Sequence, residues 1–132
     1  MSAPSLVVKD YMREVLVTFR PDTDALRAVH LLLEKGVSGA PVTDRLGNIV
    51  GLLSEKDLLG IALEAGYHGD AAGTIEALMS KKVVTIDAED SIVSAARILR
   101  DASTETLPVM LEGRLAGMIT RQDVLRAFES QR

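Results

Sequence analysis

Two short segments carry the residues best suited to holding a ligand. Gly51-Leu52-Leu53-Ser54-Glu55-Lys56-Asp57 and Gly117-Met118-Ile119-Thr120-Arg121-Gln122-Asp123 share the pattern Gly-x-x-Ser/Thr-x-x-Asp. In each, an apolar run gives way at the hydroxyl residue to a helical pattern, so Ser54 and Thr120 stand where the chain enters a helix. Free backbone N–H groups and the positive end of the helix dipole make that a natural place for a phosphate or other anion. Asp57 and Asp123 follow three residues on, one turn later on the same face. A carboxylate there can accept hydrogen bonds from both ribose hydroxyls, the use that dinucleotide-binding folds make of an acidic residue. Each hydrogen bond to a charged group contributes about 1.5–3 kcal/mol. The same residues admit a plainer account, with Ser54 and Thr120 as helix N-caps and the aspartates as first-turn acids. The two roles can coexist.

The motifs are the clearest part of an internal duplication. Pro41-Val42 and Pro108-Val109 precede them, and Met12 with Met79, Thr18 with Thr85 and Pro41 with Pro108 are each 67 positions apart. Gly51 with Gly117 and Asp57 with Asp123 are 66 apart, so the second copy has lost one residue in the intervening turn. A repeat of this kind predicts two similar subdomains about an approximate two-fold axis, and two similar sites.

The elements that must position these residues can be read around them. Val8 to Arg13 reads as a short helical turn carrying Met12 inward, and Val15 to Phe19 as a strand ended by Pro21. Thr23 is the expected N-cap of a helix with Leu26, Val29, Leu32 and Leu33 at helical spacing and Gly36 as its C-terminal cap. Residues 40–43 and 49–53 form a hairpin around 44–48, and Ser54 opens a second helix through Leu58, Leu59, Ile61, Ala62 and Leu63. Residues 66–73 read as a linker. The order then repeats: a turn over 74–79, a strand over 83–86, a helix capped by Asp90 with Val93, Ala96 and Leu99 inward, a hairpin around 112–114, and a helix from Thr120 to about Ser130. The repeats span 8–65 and 74–130, each strand, helix, hairpin, helix. About 60 residues bury too little surface to be comfortable alone, which two copies packed sheet to sheet would remedy.

Composition narrows the function. The 132 residues include four aromatics and no Trp, so the core is aliphatic and there is no stacking platform for single-stranded nucleic acid. The net charge of -4, with scattered basic residues, argues against a nucleic-acid surface. With no cysteine, disulfides, thiolate zinc sites and thiol nucleophiles are excluded. No signal-peptide pattern opens the chain, and no apolar run approaches the roughly 20 residues of a membrane helix, so a cytoplasmic protein is expected. His30 and His68 have no metal-site spacing, and His30 reads as a packing or dimer-interface residue. Ser54 and Ser91 lack a nucleophile-elbow context, and the chain has no Gly-Lys-Ser/Thr phosphate loop. The acid pairs Asp22-Asp24 and Glu89-Asp90 read as helix-start residues. No catalytic constellation is visible.

Met12 and Met79, the Val-Thr strands before Pro21 and Ala88, the two Pro-Val steps and the two Gly-x-x-Ser/Thr-x-x-Asp segments together resemble the cystathionine-β-synthase-type (CBS) domain pair, or Bateman module. The likeness runs over about residues 8–128. It implies an α/β (α+β) fold of two βαββα-type repeats, packed sheet to sheet with pseudo-two-fold symmetry. It further implies clefts that bind adenosine-containing ligands (AMP, ADP, ATP or S-adenosylmethionine), with magnesium arriving only with ATP. Such pairs regulate a partner or attached protein, and many form homodimers. With no appended catalytic domain in the sequence, the expected target is a separate chain, or else the sequence is a piece of a larger protein; Met1 and the short ends favour the first. The alternatives are a structural dimerisation module with non-binding clefts and, more remotely, a nucleotide-acting enzyme.

Carried over by the resemblance, one cleft, A, holds Leu52, Ser54 and Asp57 with Val83, Val84, Thr106 and Leu107. The other, B, holds Met118, Thr120 and Asp123 with Leu16, Val17, Gly39 and Ala40. The position three before the proline and the one before the motif Asp often face phosphate in relatives. These are Ser38 and Lys56 for cleft B, but Glu105 and Gln122 for cleft A. A carboxylate about 6 Å from a phosphate costs about 3 kcal/mol at an effective dielectric near 20. Cleft B is therefore expected to be the better phosphate site, unless Glu105 points to solvent.

Overall fold

Prolines decide how much sheet each repeat makes. In the computed structural model, which describes residues 6–68, 73–102 and 104–131, the first repeat has α1 (Ala25–Lys35), β1 (Gly39–Thr43), β2 (Ile49–Ser54) and α2 (Glu55–His68). The second has β3 (Ile86–Asp87), α3 (Ile92–Asp101), β4 (Thr106–Leu111), β5 (Arg114–Thr120) and α4 (Arg121–Glu129). β1 pairs antiparallel with β2; β3 runs parallel to β4, which pairs antiparallel with β5. The expected strand at Val15–Phe19 is reduced to one parallel bridge, Phe19 to Val42. The Phe19 N–H donates to Pro41 O at 3.0 Å, and Phe19 O accepts from Thr43 N at 2.8 Å. Extending that parallel pairing would require N–H groups at residues 21 and 41, and both are proline. In the second copy Ala88 replaces Pro21, donates to Met110 O at 2.8 Å, and the two-residue β3 results.

The starts of α1 and α3 fall one residue later than expected in both copies, and their faces keep the expected Leu32 and Leu99 but otherwise lie one residue earlier than expected. The N-caps are Asp24, accepting from Arg27 N at 3.1 Å, and Ser91, accepting from Ser94 N at 3.0 Å. Thr23 and Asp90 instead brace the preceding turns, accepting from Arg20 N and Asp87 N. α1 buries Ala25, Ala28 and Leu32, and α3 buries Ile92, Ala95 and Leu99. Leu26, Leu33 and Val93 are exposed, while Val29 and Ala96 sit at the core margin. α2 continues to His68, so residues 66–68 of the expected linker are helical; 69–72 lie outside the described residues.

The chain forms two compact units, and these do not follow the repeat boundaries. One comprises Met1–Val15 with Val84–Arg132, the other Leu16–Val83. The leading turn of each repeat packs on the other repeat's strands. In the first unit the 3-10 turn Val8–Asp10 donates from Val8 N to Asp90 O and from Lys9 N to Ala88 O, and Arg13 exchanges two backbone hydrogen bonds with Met118, 2.8 and 2.9 Å long. In the second unit Ser80, beyond the turn Ile75–Ala77, exchanges two of 2.9 Å with Leu52. Both contacts occupy edges that β5 and β2 would otherwise leave unpaired.

Each unit has its own core, aliphatic but for Phe19. Val8, Ile92, Leu99, Leu107, Val109 and Ile119 centre one; Phe19, Leu32, Val42, Leu53, Leu58 and Ile75 centre the other. Gly51 and Gly117 sit where the leading turns come closest. A Cβ on Gly51 would lie 2.6 Å from Met79 Sδ, and one on Gly117 2.7 Å from the backbone oxygen of Arg13. The residue lost between the copies comes from the hairpin loop. Thr43 to Ile49 spans a five-residue turn organised by the Asp44 carboxylate, whereas Leu111 and Arg114 are joined by Glu112 and Gly113 alone, both at positive φ. Both residues at positive φ make a type I′ turn, whose twist matches that of the paired strands.

Candidate functional site

The two motifs build the same scaffold around their helix starts. Thr120 caps α4: its Oγ1 accepts from Asp123 N at 3.2 Å, and Asp123 Oδ2 accepts from Thr120 N at 2.9 Å. Ser54 and Asp57 reproduce this at 3.2 and 2.9 Å on entry to α2. The capping role is therefore real in both copies, and each capping box uses one carboxylate oxygen, Oδ2. Strand pairing places the residues before each Pro-Val directly opposite: Gly39 faces Ser54 and Ala40 faces Leu53, as Thr106 faces Thr120 and Leu107 faces Ile119. Ser38 O also accepts from Glu55 N at 2.9 Å, and Glu105 O from Arg121 N at 3.2 Å.

The carboxylates then diverge. Asp123 is 4% exposed and also accepts Arg13 Nε at 2.9 Å on Oδ1 and 3.1 Å on Oδ2, with Arg126 Nη1 at 3.1 Å on Oδ1. Thr120 Oγ1 approaches Oδ2 at 2.9 Å. Asp57 is half-buried, and among the described residues its Oδ1 has no hydrogen-bond partner and its carboxylate no cation. The positions matching Arg13 and Arg126 are Ser80 and Gly60, 67 on and 66 back. Ser80 turns its hydroxyl to Lys82 O instead, at 3.3 Å. Sequence reasoning passed over both arginines. The signal was present in the copy difference and in the Asp123–Arg126 spacing of three.

The remaining expected site residues fall into three groups. Leu16 and Val84 are exposed apolar residues, and Val17 and Val83 are half-buried. Ala40, Leu107 and Thr106 have their side chains buried within their units, and Leu52 and Met118 nearly so. These five can offer a ligand mainly backbone groups. Lys56, Glu105 and Gln122 are exposed, and Ser38 is half-buried. Arg121 is tied to the end of α3, donating to the carbonyls of Leu99, Ala102 and Thr104.

Among the described residues no group of three or more His, Asp or Glu side chains could hold a metal ion. His30 is exposed rather than packed, with Nε2 3.0 Å from Glu34 Oε2. No described helix is long and apolar enough to cross a membrane.

The sequence model of the CBS domain matches twice, at residues 8–64 and 75–130. The chain belongs to the CBS domain family. It is 27% identical over 123 residues to an uncharacterised protein of Methanocaldococcus jannaschii, covering 93% of this chain but 43% of that one. A CBS domain-containing protein of Dictyostelium discoideum is 29% identical over 130 residues, covering 91% of this chain and 89% of its own length. The CBS pair thus spans less than half of the archaeal relative's length. Among solved structures, CBSX2 in complex with AMP superposes with a TM-score of 0.81 at 31% identity, over 97% of this chain and 100% of that one. The CBS domain pair of protein MJ0100, in complex with 5′-methylthioadenosine and S-adenosyl-L-methionine, shares the fold at a TM-score of 0.82 and 22% identity, over 98% and 100%.

Proposed function

We propose that the chain is a non-catalytic regulatory module that takes up an adenosine-containing ligand and signals its presence to a partner protein. The observation that carries this reading is the Ser54–Asp57 helix start. There a half-buried carboxylate, fixed by its own capping box, has one oxygen without a partner among the described residues and open to hydroxyl donors, beside the N-terminal N–H groups of α2. Similarity to a structure with AMP bound supports adenosine as the ligand class. Regulation additionally requires that the ligand prefer one of two states of the module, since binding alone shifts nothing.

The test is thermal unfolding with and without AMP, ADP, ATP with magnesium, S-adenosylmethionine and NAD. A ligand at one hundred times its Kd stabilises by about 2.7 kcal/mol. For a chain of this size that is roughly a 10 °C rise in Tm. No shift with any of the five would remove the ligand from the account.

A second reading rests on a different observation. Leu26 and Leu33 on α1, Leu59 and Leu63 on α2, and Leu125 and Phe128 on α4 are large apolar residues left 42–75% exposed. On either unit such residues suit association, which would hold for a homodimer or a purely structural module. Sedimentation equilibrium across a hundredfold concentration range separates the two, because a ligand-independent dimer without a Tm shift supports the structural module.

A further inference from the structure

We propose that the Arg13 guanidinium withholds the Asp123 carboxylate from ligand, so that the module takes up its adenosine ligand at the Asp57 copy until Arg13 is displaced. This rests on the reading above and reverses the ranking that the charges at Ser38, Lys56, Glu105 and Gln122 suggest.

Acceptor capacity separates the two carboxylates. A carboxylate offers about four lone-pair positions. Asp123 meets Thr120 N, Thr120 Oγ1, Arg13 Nε and Arg126 Nη1, all within 3.1 Å. Nothing is left for two ribose hydroxyls. At Asp57 only Oδ2 is engaged within the described residues, by Ser54 N. The difference is written into the sequence, because the copy of Arg13 is Ser80 and the copy of Arg126 is Gly60.

The two arginines are not equivalent. Arg126 lies on the same helix as Asp123, three residues on, and reaches Oδ1 alone. Arg13 arrives from the leading turn, whose backbone is pinned to Met118, and its Nε touches both oxygens. Its side chain is 52% exposed while that of Asp123 is 5% exposed. The arginine can therefore swing into water, whereas the carboxylate is fixed. That makes Arg13 a specificity-determining residue that acts by occupying the position a ligand would need.

The experiment is equilibrium dialysis with labelled AMP on the intact chain, using Asp57→Asn to silence the first copy. Asp57→Asn should lose most of the wild-type uptake. Arg13→Ser in that background, which copies Ser80, should tighten AMP binding at least about fivefold, and adding Asp123→Asn should abolish the gain. Arg13→Gln, which keeps length without charge, serves if the serine variant melts early. Four outcomes would overturn the proposal: unchanged uptake by Asp57→Asn, no gain on removing Arg13, a gain that survives Asp123→Asn, or weaker binding without Arg13, which would make Arg13 a phosphate ligand. Uptake only after Arg13 is removed would support the occlusion while refuting ligand binding by the wild-type chain. No uptake by any variant would refute both.

Discussion

Replacing the motif glycines by alanine should hurt the two copies unequally. Neither Gly51 nor Gly117 has positive φ, so the conformational freedom of glycine is not what these positions use. They use the missing side chain. A Cβ on Gly117 would stand 2.7 Å from Arg13 O, 0.7 Å inside the 3.4 Å at which ordinary contact begins, and 2.8 Å from Met12 Sδ. The Arg13 carbonyl cannot yield freely, because it accepts from Met118 N at 2.9 Å while Arg13 N donates back at 2.8 Å. Relief means parting the leading segment from β5. Overpacking costs about 1–3 kcal/mol, and two weakened backbone hydrogen bonds add about 0.5–1.5 kcal/mol each. Against this stands a gain of about 0.4–1 kcal/mol from stiffening the unfolded chain. A net loss of about 2–4 kcal/mol, or very roughly 10 °C in Tm, is expected for Gly117→Ala. At Gly51 the three nearest atoms, at 2.6–3.1 Å, all belong to the Met79 side chain, whose unbranched thioether can re-pack. Gly51→Ala should therefore cost at least about 1 kcal/mol less. Urea unfolding at equilibrium, with coincident circular dichroism and fluorescence-independent probes, measures both. A Gly117→Ala variant as stable as wild type, or a Gly51→Ala variant that is the worse of the two, would refute the reasoning.

Two further outcomes follow from the hairpin turns. Glu112 adopts φ 51°, a conformation that costs a non-glycine residue roughly 1 kcal/mol, so Glu112→Asn should raise Tm by a few degrees; a lower Tm would contradict the turn assignment. The Asp44 carboxyl is held below its ordinary value of 3.8, chiefly by the Asn48 backbone N–H, with burial opposing and the Asn48 amide and Leu46 N–H assisting. Its depressed value means that its contribution to stability is complete above the unfolded pKa and is lost as pH falls through the lower folded one. A carboxyl NMR titration should place the Asp44 midpoint below 3.8, and Asp44→Ala should flatten the acid limb of the stability profile; an Asp44 midpoint at or above 3.8 would contradict the turn geometry.

The doubling, the hairpins and the starts of α2 and α4 were legible because they rest on local patterns: proline before valine, a hydroxyl three residues before an acid, glycine at a helix end. What was not legible depended on partners distant in sequence. The strand at Val15–Phe19 looked sound by composition and failed because its pairing partner, β1, presents Pro41 where a donor is needed. On α1 and α3 the expected Leu32 and Leu99 are buried, but the rest of each face lies at Ala25 and Ala28 and at Ile92 and Ala95, one residue before the positions that the apolar pattern of Leu26, Val29 and Val93 suggests. The exchange of leading turns between repeats leaves no mark on periodicity at all. Its trace is Gly51 and Gly117, whose reason appears only once Met79 and Met12 are seen against them. The site showed the same division. Ser54, Asp57, Thr120 and Asp123 were found by spacing, whereas Arg13 reaches Asp123 across 110 positions of chain.

The most direct test of the account is a crystal structure of the intact chain grown with AMP. The account predicts a nucleotide whose ribose hydroxyls meet Asp57, with Arg13 still on Asp123. Ribose density on Asp123 with Arg13 swung aside would keep the module as an adenosine binder and refute the occlusion. Nucleotide bound away from both carboxylates would contradict the role assigned to the doubled motif.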